Sequence, residues 1–408
     1  LFAGPIKERI NGFFEKFKQA EYDFTYGAED DPEHHNALQV GLVAWFYLDK
    51  GYTKENRARI AEAWQLYHNE FGKYLKCGCI NDPNKELAYR NISSEKFKET
   101  IINSFGDDLD FIWSAEKGYR YSSDYSIEIN SPAGWFENIH KPVSYFGFNL
   151  PVAELNNKEH IEKLLLIFCN ILKPLHGIMG LGLQQCHEKE RYQHLEYEIG
   201  QEFLGVDITN SKTDKHSREG IRSVNWHTFF NNDWLNKLGG IQYLRSALGN
   251  SSIEIIPYDV GVIIRAGEWP ELGWIKDNPY PELYVKVNKV LKPIRAPEIG
   301  SLGYGSIAGE IRFDDSSTAR WLARFDVDLP PLATMPAAKD PVRISCWTDD
   351  IAPYAGQWAT IVNGTTEYIQ TREGQKMPYF EDKHGNKHRA LWQLLKRDDK
   401  GSVFIMPE

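Results

Sequence analysis

Leu38-Gln-Val-Gly-Leu-Val-Ala-Trp-Phe-Tyr-Leu48 carries no charge and is apolar apart from Gln39 and Gly41. An apolar run of this length, closed by the turn residues Asp49-Lys-Gly-Tyr52, reads as a buried strand. Thr53, three residues before Asn56, is then placed to cap a helix. Ile60, Trp64, Tyr67, Phe71 and Tyr74 recur along one face of that helix. Weaker strand signals follow near 109–114 and 119–129. The same rhythm returns downstream. Val143-Ser-Tyr-Phe-Gly-Phe-Asn-Leu150 reads as a strand, Asn156 and Asn157 precede a helix through about Leu172 that Pro174 ends, and Gly177-Ile-Met-Gly-Leu-Gly-Leu183 reads as a strand interrupted by glycine. Strand–helix–strand thus occurs twice, at about 38–130 and 143–185, which suggests a duplicated α/β unit.

On the N-terminal side, Ile6, Ile10, Phe13, Phe14 and Phe17 give residues 1–20 the period of an amphipathic helix. Glu21-Tyr-Asp-Phe-Thr-Tyr-Gly-Ala-Glu-Asp-Asp-Pro-Glu33 carries six carboxylates, three aromatic rings and no base, and reads as a loop. On the C-terminal side a charged helix is expected over 189–203 and a strand over 221–230. Asn232 or Asp233 caps a helix that Gly239-Gly240 ends, and a short helix follows over 241–248. Ile253–Ile256 and Val260–Arg265 pair around a Pro257-Tyr-Asp turn. Pro281 opens a helix that Pro293 stops. Proline and glycine become dense between 296 and 341, and short strands separated by turns fill the tail.

The fold class is therefore α+β. A large α/β domain with a mixed or antiparallel sheet and packed helices is followed by a small β-rich C-terminal domain. The expected partition is an N-terminal helix and acidic loop over 1–37, the large domain over 38–326, a Pro-rich linker over 327–341 and the small domain over 342–408.

The chain has 408 residues and a formal net charge of −10. That balance argues against nucleic acid as a partner, because phosphate binding needs a basic face, and suits a basic protein partner. The longest apolar run, Leu164-Leu-Leu-Ile-Phe-Cys169, is far short of a membrane span. No secretory leader pattern opens the sequence, and five scattered cysteines do not describe a disulfide framework. A cytoplasmic protein without a membrane partner is expected.

No catalytic constellation emerges. Gly300-Ser-Leu-Gly-Tyr-Gly-Ser-Ile-Ala-Gly309 lacks the Lys-Ser/Thr of a phosphate loop, and Tyr304 stands where a Gly-x-Ser-x-Gly elbow needs its first glycine. Asp30-Asp-Pro-Glu-His-His35 places carboxylates beside imidazoles, but adjacent residues make a poor ligand set. Cys77-Gly-Cys79 has too narrow a spacing for zinc or redox chemistry, and Cys186-His187 is adjacent where a catalytic thiol pair is normally assembled by the fold. Each reads as structure. No catalytic, cofactor-binding or metal-ligating residue is assigned.

One resemblance goes further. Leu175-His-Gly-Ile-Met-Gly180, Phe203-Leu-Gly-Val-Asp207, Val224-Asn-Trp-His-Thr-Phe229 and Leu235-Asn-Lys-Leu-Gly-Gly240 are followed by Gly261-Val-Ile-Ile-Arg-Ala-Gly-Glu-Trp-Pro-Glu-Leu-Gly273. Leu291-Lys-Pro-Ile-Arg295 and Ala319-Arg-Trp-Leu-Ala-Arg-Phe-Asp326 complete the series. In order and spacing these resemble a bacterial family of type VI secretion immunity proteins, long known only as a domain of unknown function, over about 38–326. Gly356-Gln-Trp358, Gly374-Gln-Lys-Met-Pro378 and Trp392 resemble a module seen behind such domains. The resemblance implies a non-enzymatic cytoplasmic protein that binds a cognate effector toxin, often a predicted nuclease, and blocks its active site or assembly. It carries over no catalytic residue and no cofactor, and its motifs read as structural. Arg265 and Glu268, flanking a turn, could pair with each other or face a partner. The alternatives are an uncharacterised hydrolase or toxin-modifying enzyme, and a secretion-system adaptor.

The acidic segments Glu21–Glu33 and Asp107–Glu128 are the expected docking face for a basic toxin. Tyr22, Asp23, Tyr26, Glu29, Asp30, Asp31, Asp107, Asp108 and Trp113 are the expected contacts, with Phe24 as a further aromatic anchor. The oligomeric state does not follow from the sequence.

Overall fold

A computed structural model describes residues 6–28, 35–118, 121–185, 192–208, 215–249, 252–303, 311–327, 342–362 and 365–405. The Gly-rich loop beyond Gly303, the Cys186-His187 pair and most of the expected linker lie outside the described residues.

Helix α1 runs Ile6–Phe24, strand β1 is Tyr26–Gly27 and β2 is Asn36–Leu48. The first helix therefore takes in Glu21–Phe24, which the local reading places in a loop. Phe17 and Phe24 pack on one another at 5.0 Å, and Phe24 also meets Phe203, so apolar contact carries the helix into the acidic stretch. Next come α2 (Lys54–Phe71), β3 (Cys77–Ile80), β4 (Leu87–Ala88), α3 (Ser94–Asn103), β5 (Leu109–Ser114), β6 (Ser126–Ser131), α4 (Gly134–His140) and β7 (Ser144–Leu150). Thr53 caps α2 as expected, its hydroxyl accepting from Asn56 N at 3.3 Å. Helix α5 (Lys158–Leu172) leads to β8 (His176–Gln185), α6 (Gln193–Glu202), β9 (His227–Asn231), α7 (Asn232–Lys237) and α8 (Gly240–Ala247). Asn231, one residue before the expected positions, caps α7 through its side chain. Strand β9 is only the second half of the expected 221–230 strand. Gly239, at φ 100°, occupies the left-handed region that separates α7 from α8. Strands β10 (Ile253–Tyr258) and β11 (Gly261–Ala266) and helices α9 (Glu282–Leu291) and α10 (Asp315–Leu322) complete the large body.

These eleven strands form one sheet, in the order β10-β11-β9-β8-β2-β7-β6-β5-β3-β4, with β1 added beside β2. Every ladder is antiparallel. Strands β7 and β8 both run antiparallel to β2, so α5 joins two parallel strands across it. Alternating directions from β2 to β3 make α2 the same kind of crossover. The second strand–helix–strand rhythm in the sequence is the α5 crossover; the first crossover closes on β3, which the local reading did not anticipate, and the strand expected near 109–114 is β5.

Helices α2 and α5 pack on one face of the sheet. The period-2 alternation of β2 sends Leu42, Ala44 and Phe46 to that face and Val43, Trp45 and Tyr47 to the other. Phe46 stands at the centre of the helical side, within 6.1 Å ring to ring of Phe146, Phe148, Phe168 and Phe229.

The tail forms its own small core. Strands β12 (Val342–Arg343), β13 (Ser345–Trp347), β14 (Gly356–Val362), β15 (Thr365–Thr371), β16 (Phe380–Glu381), β17 (Lys387–His388), β18 (Leu391–Arg397) and β19 (Phe404–Ile405) include a four-stranded sheet, β13-β18-β14-β15. The residues that carried the second resemblance are its interior: Trp358, Met377 and Trp392 are buried, and the Trp392 indole donates to Pro378 O at 2.8 Å.

Candidate functional site: an acidic row on the sheet face away from α2 and α5

Strand register assembles a row across the sheet. Cys79 pairs with Ile112, Ile112 with Glu128, Glu128 with Gly147, and Gly147 with Trp45. Directly paired residues point to the same face, here the one without α2 and α5. The row beside it runs Cys77, Ser114, Ser126, Asn149 and Val43. Small and polar residues in the middle of both rows leave a small cavity of about 20 Å³, lined by Trp45, Ile112, Ser126, Glu128 and Gly147 among others, room for little more than one water.

Tyr145 donates its hydroxyl to Glu128 Oε1 and meets the Trp45 ring edge-on at 5.3 Å. Asp110 lies two residues from Ile112 on the same face. The thiol of Cys79 registers the local field: burial, with Asp110, Glu128 and Asp82 adding to it, pushes it up to about 11. Cys79 therefore stays protonated at neutral pH and is no nucleophile. At another edge of the cavity His35 stacks on Tyr121 at 4.3 Å and lies 3.5 Å from Glu116. Among the described residues no group of His, Cys, Asp and Glu is arranged to hold a metal ion, and no helix is long and apolar enough to cross a membrane.

The residues expected to face a partner are distributed differently. Glu29, Asp30 and Asp31 lie outside the described residues. Tyr26 stacks on Trp347 of the tail at 5.5 Å and donates to Asp23 O. Asp23 pairs with Lys276 at 3.0 Å, and Arg389 lies over the rings of both Tyr22 and Trp347. This part of the N-terminal segment is thus engaged within the chain, although Tyr22 keeps 69% of its surface exposed. Asp107 and Asp108 sit on an exposed turn. The buried Arg57 donates to Asp107 O at 2.6 Å, and Asp108 Oδ1 caps Ala133 N before α4. Trp113 and Phe24 are fully buried. Trp113 packs on Tyr89 and Phe97, so an anchoring role for its indole does not survive the fold: β5 turns Ile112, not Trp113, to the face away from α2 and α5.

The local reading passed over Trp45, Tyr145 and Gly147, since a continuous apolar strand does not show which face α2 and α5 cover. It also passed over α4, where Trp135 (64%) and Ile139 (66%) are exposed beside Phe105 (51%). The adjacent pair Trp135-Phe136 was the available signal. Charges near that patch are mixed: Lys54 lies over Phe105, and Asp107 and Asp108 stand on the neighbouring turn.

The motifs of the large body are structural. Arg265 pairs with Glu162 at 3.0 Å and Glu254 at 2.8 Å, and the Trp226 indole donates to Gly267 O. Arg324, enclosed, donates to Leu204 O and Ser223 Oγ.

Comparison with known proteins follows these features. No curated protein matches the sequence. Among solved structures, the Pseudomonas aeruginosa T6SS protein PA0821 is similar, with a TM-score of 0.67 and 24% identity over 78% of this chain and 92% of that one. At that identity the likeness speaks for the fold. The family model TsiV, described as type VI immunity for VRR-NUC, matches residues 59–325, from α2 to the end of the large body. The chain belongs to the TsiV family of type VI immunity proteins.

Proposed function

We propose that the chain neutralises a VRR-NUC effector by binding it in the cytoplasm, as a stoichiometric inhibitor and not as an enzyme. Family membership across residues 59–325 carries this reading. The charge supports it. An effector that cuts nucleic acid must present a basic surface to phosphate, and a chain of net charge −10 attracts that surface at long range and raises the association rate. Occluding the nucleic-acid site, or blocking its assembly, then suffices for protection.

Co-expression tests it. Cells producing the active effector survive when this chain is present at equal or greater amount and die when it is limiting. Equal killing with and without the chain sinks the proposal, and protection at strongly substoichiometric amounts would replace binding with catalysis.

A further inference from the structure

We propose that β15 pairs edge to edge with β15 of a second copy of this chain, antiparallel about a two-fold axis at Tyr368, so that the tail sheet continues through both molecules. The family match ends at residue 325, well before this strand, and the pairing does not depend on effector binding.

Among the described residues, the other edges of the two larger sheets are guarded. Strands β1 and β4 have two residues each, β13 has three, and β10 carries Pro257; short edges and proline both oppose pairing with another chain. Strand β15 ends the tail sheet with seven residues, Thr365-Thr-Glu-Tyr-Ile-Gln-Thr371, and has no proline, glycine or lysine. Its threonines, tyrosine and isoleucine favour extended backbone. Among the described residues no other backbone group pairs with its outer edge. The side chains select a second copy as the occupant. Glu367 is the one charge on the strand. A two-fold axis centred on it would set carboxylate against carboxylate, and like charges directly opposite each other destabilise a ladder. An axis at Tyr368 instead sets Glu367 against Ile369 of the second copy, Thr366 against Gln370 and Thr365 against Thr371. It also brings the two Tyr368 rings together, and aromatic and Thr–Thr pairs stabilise a ladder. Tyr368 is 60% exposed, and its neighbour on β14 is the small Ala359. The same patch serves both molecules, as a closed two-fold interface requires. A seven-residue edge is small against the roughly 800 Å² per partner of a standard interface, so the dimer is weak. Two chains of net charge −10 repel at long range, so salt strengthens this pairing, whereas it weakens the capture of a basic partner.

Sedimentation velocity of the full chain, from about 1 to about 100 μM at low and high salt, tests the pairing. The unmodified chain is expected to pass from monomer to dimer across that range, more readily at high salt. Tyr368→Lys sets two ammonium groups opposite each other and is expected to weaken self-association roughly tenfold or more. Thr366→Cys and Gln370→Cys report the register: mixed, they are expected to cross-link under mild oxidation faster than either does alone. Thermal unfolding of each variant controls for folding, and Thr366→Lys decides should Tyr368→Lys fail to fold. A chain that stays monomeric throughout, or a dimer undiminished in a folded lysine variant, overturns the proposal. Equal cross-linking by the mixture and by the single variants overturns the register. Loss of effector binding in Tyr368→Lys, with self-association unchanged, assigns the edge to the effector and overturns the second copy as its occupant.

Discussion

The indole of Trp45 lies directly over Gly147 of the neighbouring strand: a Cβ at position 147 would stand 2.3 Å from both Cε3 and Cζ3 of the ring. The ring has little room to retreat, because Tyr145 closes on it edge-on and Trp45 is only 3% exposed. Gly147→Ala is therefore expected to destabilise the chain by about 1–3 kcal/mol, the usual cost of overpacking a filled site. Urea unfolding measures it. A midpoint equal to the unmodified chain would mean that the ring swings aside freely and that the cavity floor is soft.

The fork between Arg295 and Asp326 predicts a pH dependence. Both guanidinium nitrogens reach the two carboxylate oxygens at 2.7 Å. Burial opposes ionisation of Asp326, but hydrogen bonds from Arg295, Asn288 and Lys292 outweigh it and hold the group well below its ordinary 3.8. A depressed carboxylate contributes stability that is complete above its unfolded value and fades as pH falls through the folded one. Asp326→Asn should thus cost about 1–2 kcal/mol at pH 7, and the deficit should shrink progressively below pH 3.8. A deficit independent of pH would assign the effect to packing.

The stack of Tyr26 on Trp347 joins the N-terminal segment to the tail. Ring pairs of this kind contribute about 0.5–1.5 kcal/mol beyond area burial. A double-mutant cycle with Tyr26→Ala and Trp347→Ala should return a coupling energy in that range. Additive single effects would show that the two rings are neighbours without mutual stabilisation.

Trp113 and Trp135 offer a direct contrast between core and surface. Trp113→Ala should cost about 3–5 kcal/mol, as expected for a large side chain removed from a close-packed interior. Trp135→Ala should stay within about 0.5 kcal/mol, since its ring faces solvent. Tryptophan quenching by acrylamide provides a second readout: loss of Trp135 should remove a quenchable contribution, and loss of Trp113 a protected one. The reverse pattern would contradict the placement of β5 and α4.

Much of the scaffold was legible residue by residue. The span of β2, the Thr53 cap, the Gly239 break between helices and the β10–β11 hairpin depend on local preferences that act within a few residues, so the local sequence contains their cause. The tail motifs announced a core because tryptophan and methionine at those positions fill it. Helix α3 was missed although Ser93 caps it through Lys96 N, for its apolar stripe consists of little more than Phe97 and Ile101.

The candidate site was legible only in part. Its acids were visible within Asp107–Glu128, but their neighbours were not. A strand's alternation separates Trp113 from Ile112 onto opposite faces without saying which face the helices cover, and a shift of one residue exchanges them. The sequence by itself thus determined an α+β chain with an acidic balance, crossover helices, family-defining motifs and a separate β-rich tail. Only the tertiary structure decided that Cys79, Ile112, Glu128, Gly147 and Trp45, drawn from five strands, share one row, and that Trp113 is enclosed. The physical reason is that register and the choice of covered face are set by long-range strand pairing and helix packing, which no local stretch of residues encodes.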